Sequence, residues 1–130
     1  MYRLSVRRNL RAEHFLVGGD WGPETQPHAH DYLIEVELEG AALDRHGYLL
    51  DIVAVKAQME SLLNYFGSRR LNDLAEFAGL NPSLEQFARI FCQRLAGQIA
   101  APNLSAITTK IWEDESAWAA YRQEPACASD

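Results

Sequence analysis

At 130 residues the chain has room for one domain with a single core. With 48% hydrophobic and 23% charged residues it is not a disordered polyelectrolyte, and no apolar run approaches the ~18 residues that span a bilayer. A net charge of −6 argues against a general binder of nucleic acid or anionic membrane, yet leaves room for a small anion held by a few local arginines.

The amino-terminal segment MYRLSVRRNLRAEHF is broken by arginines and lacks the apolar core of a signal peptide, so a cytoplasmic location is expected. Residues 2–10 alternate as a strand, with Tyr2, Leu4 and Val6 on one face and Arg3, Ser5 and Arg7 on the other. Val17–Pro27 gathers Gly18, Gly19, Asp20, Gly22, Pro23 and Pro27, which is loop chemistry. Residues 31–39 then alternate almost strictly, Tyr32, Ile34, Val36 and Leu38 against Asp31, Glu35, Glu37 and Glu39, as in a half-buried antiparallel strand.

A turn over Gly40–Gly47 leads to the short apolar run Tyr48-Leu49-Leu50, which is read as a further strand. Asp51 suits a helix N-cap, and Ile52, Val55, Met59, Leu62, Leu63 and Phe66 recur behind it at helical spacing. A second helix is predicted from Asn81-Pro82-Ser83, with Pro82 in its first turn and Leu84, Phe87, Ala88, Phe91, Leu95 and Ile99 as its stripe. Ile107, Thr109 and Ile111 alternate as a closing strand, and residues after Gln123 read as a loose tail. Cys92 in a helical pattern and Cys127 in that tail give neither a disulfide framework nor a metal spacing. Two consecutive helices must cover one face of an antiparallel sheet, which predicts an opposite face that is partly apolar and open to oligomerisation.

His28 and His30 are the sharpest chemical signal. They stand at the entry to a strand, where residues two apart point the same way, so both imidazoles can reach one ion. A catalytic zinc takes three protein ligands and keeps a fourth position open. Of the two remaining histidines, His14 follows the strand that can pair beside His28 and His30, whereas His46 lies beyond the far end of that strand. His14 is therefore the expected third ligand. Gly22, His28, His30 and Glu35 also fit the start of a cupin metal motif, but a cupin needs many strands, and two helices occupy the middle third here.

Taken in order, these segments resemble the family of 6-pyruvoyl-tetrahydropterin synthase and 6-carboxy-tetrahydropterin synthase. Ala12-Glu13-His14 looks like its Ala-Ala-His, and His28-Ala29-His30 like its His-Gly-His. Gly47-Tyr48-Leu49-Leu50-Asp51 is similar to the run before its first helix, Leu71-Asn72-Asp73 to its Leu-Asn stretch, and Pro82-Ser83-Leu84-Glu85-Gln86 to its Pro-Thr-x-Glu-Asn helix start. Trp112-Glu113 resembles its closing-strand glutamate. The resemblance covers residues 2–122 and places one synthase-like domain at 1–123, followed by a tail at 124–130.

What the resemblance implies is an α+β fold, a four-stranded antiparallel sheet with two helices packed on one face (the T-fold). It further implies Zn2+ on His14, His28 and His30, a homo-oligomer (trimer or hexamer), and lyase or synthase chemistry on the side chain of a dihydroneopterin-type pterin. Glu113 would be the substrate-binding residue, its carboxylate accepting two parallel hydrogen bonds from the pterin edge. Two departures matter. The family's catalytic Cys before the His-x-His is missing, and Glu24 stands four residues before His28 instead, one residue further than in the Glu-x2-His-Gly-His of a branch that cleaves the side chain like dihydroneopterin aldolase. A carboxylate near a metal can serve as the catalytic proton-transfer group. The family's Asp-His relay is replaced by Gly67-Ser68, followed by Arg69 and Arg70, so a non-catalytic zinc and pterin binding module is the alternative.

Overall fold

The computed structural model describes residues 1–125. Four strands form one antiparallel sheet in chain order: β1 (Tyr2–His14), β2 (His28–Gly40), β3 (Ala106–Trp112) and β4 (Trp118–Gln123). Between β2 and β3 the chain makes α1 (Ile52–Phe66) and α2 (Leu84–Ala96), which share one hydrophobic core with the sheet. The predicted architecture is thus the one observed.

Period-two alternation sorts the sheet into two faces. Val6, Leu10, Ala12, Tyr32, Ile34, Val36, Leu38, Ile107 and Ile111 are buried towards the helices. Phe87 of α2 sits at the centre, edge-on to Tyr32 at 5.2 Å and to Phe66 at 5.5 Å between ring centroids. Asp51 caps α1 by accepting from the Val53 N–H at 2.9 Å, as its position suggests.

The structure corrects four sequence expectations. β1 runs past residue 10 to His14, in register with β2 along its whole length from Tyr2↔Gly40 to His14↔His28. The added part keeps the alternation, with Ala12 and the polar His14 following Leu10 as buried residues on the helix face; Arg8 stands on that face too, where its Nε meets Glu60 at 3.0 Å. Second, Tyr48-Leu49-Leu50 is not a strand. Asp44 accepts from the Tyr48 N–H through its side chain and donates its own N–H to the Tyr48 carbonyl, closing a loop from which Leu49 and Leu50 plug the core. The fourth strand is β4, so Ala106–Trp112 is an inner strand rather than the closing one. Third, Pro82 precedes the helix: Ser83 is the N-cap, its hydroxyl accepting from the Gln86 N–H at 3.2 Å.

The fourth correction concerns the open face of the sheet. Most of it is a charge ladder that leaves the apolar part only one end: Arg3–Glu37 at 3.6 Å, Arg7–Glu35 at 2.6 Å, Arg11–Asp31 at 2.9 Å and Arg122–Glu39 at 2.8 Å. The exposed Arg3–Glu37 and Arg11–Asp31 pairs each contribute at most about 1 kcal/mol, so they keep the face hydrated more than they hold the fold, while Glu35 and Glu39 are largely covered. Its apolar content is confined to Leu33, Trp112 and Trp118 among the larger side chains. No described helix is long and apolar enough to cross a membrane. Of the tail expected at 124–130, residues 126–130, Cys127 among them, lie outside the described residues.

Candidate functional site

The β1–β2 register decides where the histidines meet. His14 ends β1 directly across from His28, and His30 lies across from Ala12, so all three rings fall on the helix face at one end of the ribbon. Their centroids are 4.6, 4.8 and 4.9 Å apart, with one potential ligand atom from each within 4.8 Å of the others.

Backbone carbonyls orient two of the rings. His14 Nδ1 lies 2.8 Å from the Pro82 carbonyl oxygen, and His28 Nδ1 lies 2.8 Å from that of Gln26. A carbonyl only accepts, so each Nδ1 carries the hydrogen and each Nε2 is left with a lone pair. This is the arrangement that outer partners impose on metal-ligating histidines. Nε2 of His28 and Nε2 of His30 are both buried without a hydrogen-bond partner. Buried imidazole nitrogens without a partner are costly unless something satisfies them, so the donor set fits a divalent ion that takes imidazole. Burial holds the His14 pKa below the ordinary 6.5, against the Pro82 bond, with His28 and His30 adding to the depression. The ring is therefore neutral and able to ligate near pH 7.

Glu113 follows β3 directly and is fixed by its N–H donating to the Ala117 carbonyl at 3.0 Å. Its Oε1 comes within 3.3 Å of His30 Nε2, an electrostatic contact without the alignment of a hydrogen bond. Tyr32, next on the same face after His28 and His30, packs 5.5 Å from His30 and 6.3 Å from His14. Burial, helped by the charge of Glu113, pushes its phenol well above the usual tyrosine pKa, so it stays protonated. Glu24 is exposed on a 3-10 turn (Gly22–Thr25), and its charge reaches His14. The backbone of that turn is tied to the end of β1 by the Leu16 N–H donating to the Glu24 carbonyl at 2.9 Å. His46 sits apart in the exposed turn made by Asp44, its N–H bound to Asp44 Oδ1.

The stretch read as lacking a relay, Gly67-Ser68-Arg69-Arg70, adopts a structural role. The Ser68 N–H donates to the Arg11 carbonyl and the Glu13 N–H to the Arg69 carbonyl, so these residues run along the outer edge of β1. Arg69 and Arg70, considered as anion ligands, lie over the Tyr65 and Phe15 rings at 5.3 and 5.8 Å. Sequence reasoning missed Tyr32, which the same-face spacing of His28, His30 and Tyr32 signals, and Asn72 and Asn81, whose amides bond the Phe15–Val17 backbone. For those amides only the motif resemblance offered a sign.

The sequence matches the profile of the family described as 6-pyruvoyl tetrahydropterin synthase over residues 3–124. No curated protein sequence matches the chain. Among solved structures it is similar to 6-pyruvoyltetrahydropterin synthase of Plasmodium vivax in a form with a catalytic glutamate replaced by alanine (TM-score 0.79, 14% identity, 95% of this chain and 98% of that one). It is also similar to 6-pyruvoyl tetrahydropterin synthase of Caenorhabditis elegans (TM-score 0.77, 22% identity, 95% and 98%). An uncharacterized protein of Wolinella succinogenes shares the fold too (TM-score 0.71, 13% identity, 95% and 97%).

Proposed function

Because the chain belongs to the 6-pyruvoyl tetrahydropterin synthase family, we propose that it is a zinc-dependent lyase or synthase acting on the side chain of a dihydroneopterin-type pterin. The observation that carries this reading is the meeting of His14, His28 and His30 from two strands, with buried, unpartnered Nε2 atoms on His28 and His30 and Glu113 beside them. Zinc held there supplies Lewis-acid polarisation of the side-chain oxygens. The Glu113 carboxylate accepts two hydrogen bonds from the ring N–H and amino group of the pterin, which sets the ring in one orientation. Glu24, on the turn tied to the end of β1, takes up and returns a proton at the substrate side chain.

A retro-aldol cleavage of the side chain, as in dihydroneopterin aldolase, is the second reading. It is favoured by a glutamate in place of the family's cysteine and by the absence of an acid or imidazole at Gly67-Ser68. The catalytic glutamate named for the Plasmodium vivax relative supports a chemical role for Glu24 in either reaction. Incubating zinc-loaded protein with dihydroneopterin and with its triphosphate, then identifying products by mass, tests both. A 6-pyruvoyl or 6-carboxy product is expected; a 6-hydroxymethyl product identifies the cleavage reaction. Turnover of neither, with the pterin still bound, leaves a zinc and pterin binding module.

The protein is also proposed to be a homo-oligomer, trimer or hexamer. β1 beyond its contact with Ser68–Arg70, and β4, present sheet edges for a partner, and Leu33, Trp112 and Trp118 offer apolar area next to the charge ladder. Light scattering at micromolar concentration is expected to give three or six times the 14.6 kDa of one chain, and a clean monomer would contradict it.

A further inference from the structure

His28 and His30 are aimed by a regular strand ladder, but His14 is the last residue of its strand. The chain beyond it, Phe15 to Val17, has no ladder partner and must find its hydrogen bonds elsewhere. The Leu16 N–H finds the Glu24 carbonyl, and Phe15 and Val17 find partners in the segment between the two helices. The Phe15 N–H donates to Asn72 Oδ1 at 2.9 Å, and Asn72 Nδ2 donates to the Phe15 carbonyl at 2.9 Å, so one side-chain amide takes the place of a neighbouring strand. Three residues beyond His14, the Val17 N–H donates to Asn81 Oδ1 at 2.8 Å. The residue after Asn81 is Pro82, whose carbonyl accepts from His14 Nδ1 at 2.8 Å.

The result is a closed circuit. The His14 ring is bound to residue 82, and the backbone three residues further along is bound to residue 81. We propose that Asn72 and Asn81 are positioning residues that aim His14 Nε2 at the other two histidines and thereby set the affinity of the metal centre. The inference rests on the metal reading of the three histidines. Without Asn81, the Pro82 carbonyl loses its tie to the chain leaving His14, and the ring is free to turn about its two side-chain torsions. Outer partners of metal-ligating histidines are worth about 10–100-fold in metal affinity.

The two amides make different demands, and this provides the control. Asn81 uses only its oxygen as acceptor here, so aspartate can replace it. Asn72 uses both ends, so aspartate would set a carboxylate against the Phe15 carbonyl. The experiment is competition of Co2+ or Zn2+ against a chelator at pH 7.5 for Asn81→Ala, Asn81→Asp, Asn72→Ala and Asn72→Asp. Circular dichroism and the unfolding temperature of the metal-free proteins are followed in parallel.

Asn81→Ala is expected to weaken binding by about 10-fold or more with the metal-free fold retained, and Asn81→Asp to stay within about 3-fold of wild type. Asn72→Asp should be as weak as Asn72→Ala. A structural role alone would lower the unfolding temperature and leave the affinity of folded protein unchanged, and that outcome overturns the inference. So does equal weakness of Asn81→Ala and Asn81→Asp. Should the Asn72 variants fail to fold, the Asn81 pair decides. A wild type that binds no metal overturns the metal centre and this inference with it, whereas tight binding by wild type and every variant overturns this inference alone.

Discussion

Replacing His28 by alanine should strip the metal from purified protein, and His14→Ala should do the same, while His46→Ala keeps one equivalent. Each of the first two removes a ligand from a set of three, a larger loss than the ~10–100-fold that an outer-shell partner is worth. His46 stands in a separate exposed turn, so its removal leaves the set intact. Metal analysis after dialysis reads the result. Undiminished zinc in His14→Ala or His28→Ala would sink the site. The same site predicts a direction with pH. Ligation needs neutral imidazole, so bound metal should fall as pH drops below about 6.5, the ordinary histidine value. In the metal-free protein the sign is the same: folded His14 titrates below its unfolded value, chiefly because it is buried. Between those two values the unfolded chain holds more protons, so stability falls as pH drops from about 6.5 towards the folded pKa.

Glu24→Gln should lower turnover by about 100-fold or more while leaving pterin affinity little changed, and Glu113→Gln should do the reverse to binding. Glu24 is carried on an exposed turn and would meet only the reacting side chain. Glu113 is held beside His30 with 30% of its side chain exposed, so it is partly desolvated. The glutamine amide can accept from only one pterin donor and sets its own N–H against the other in a partly dry pocket, a loss of roughly 1.5–3 kcal/mol, or ~10–150-fold in affinity. Titration with a fluorescent pterin and a rate assay on the same two variants separate the roles. Wild-type binding by Glu113→Gln would end its assignment as the anchor, and full activity in Glu24→Gln would move proton transfer to another group.

The elements with clean periodicity were readable without the fold. The Tyr32, Ile34, Val36, Leu38 alternation and the stripe of α1 survive as drawn, and that of α2 survives up to Leu95, Ile99 lying beyond the helix end at Ala96, because burial on one face of a strand or helix writes its own period into the sequence. Errors arose where a side chain broke that period for a reason outside its own element. His14 puts a polar residue on the apolar face at the end of β1, where it meets His28 and His30 of β2. Tyr48-Leu49-Leu50 looks like a strand, yet the Asp44 bonds fold it into a plug. Weakly alternating β4 shows its nature only beside β3.

By itself the sequence determined the fold class and the candidacy of His14, His28 and His30, since residue type and spacing limit which groups can ligate, whereas Glu24 and Glu113 became candidates through the family resemblance. Tertiary structure alone decided that Glu113 reaches His30, that Tyr32 lies against His30 and His14, and that most of the open face is a charge ladder. It also decided what holds His14 and the chain leaving it: a carbonyl 68 residues from His14, and amides 57 and 64 residues from the Phe15 and Val17 groups they bond. Hydrogen bonds to backbone groups leave no period and no residue signature at the far end. Any residue presents a carbonyl, and only the folded chain shows which one faces the ring.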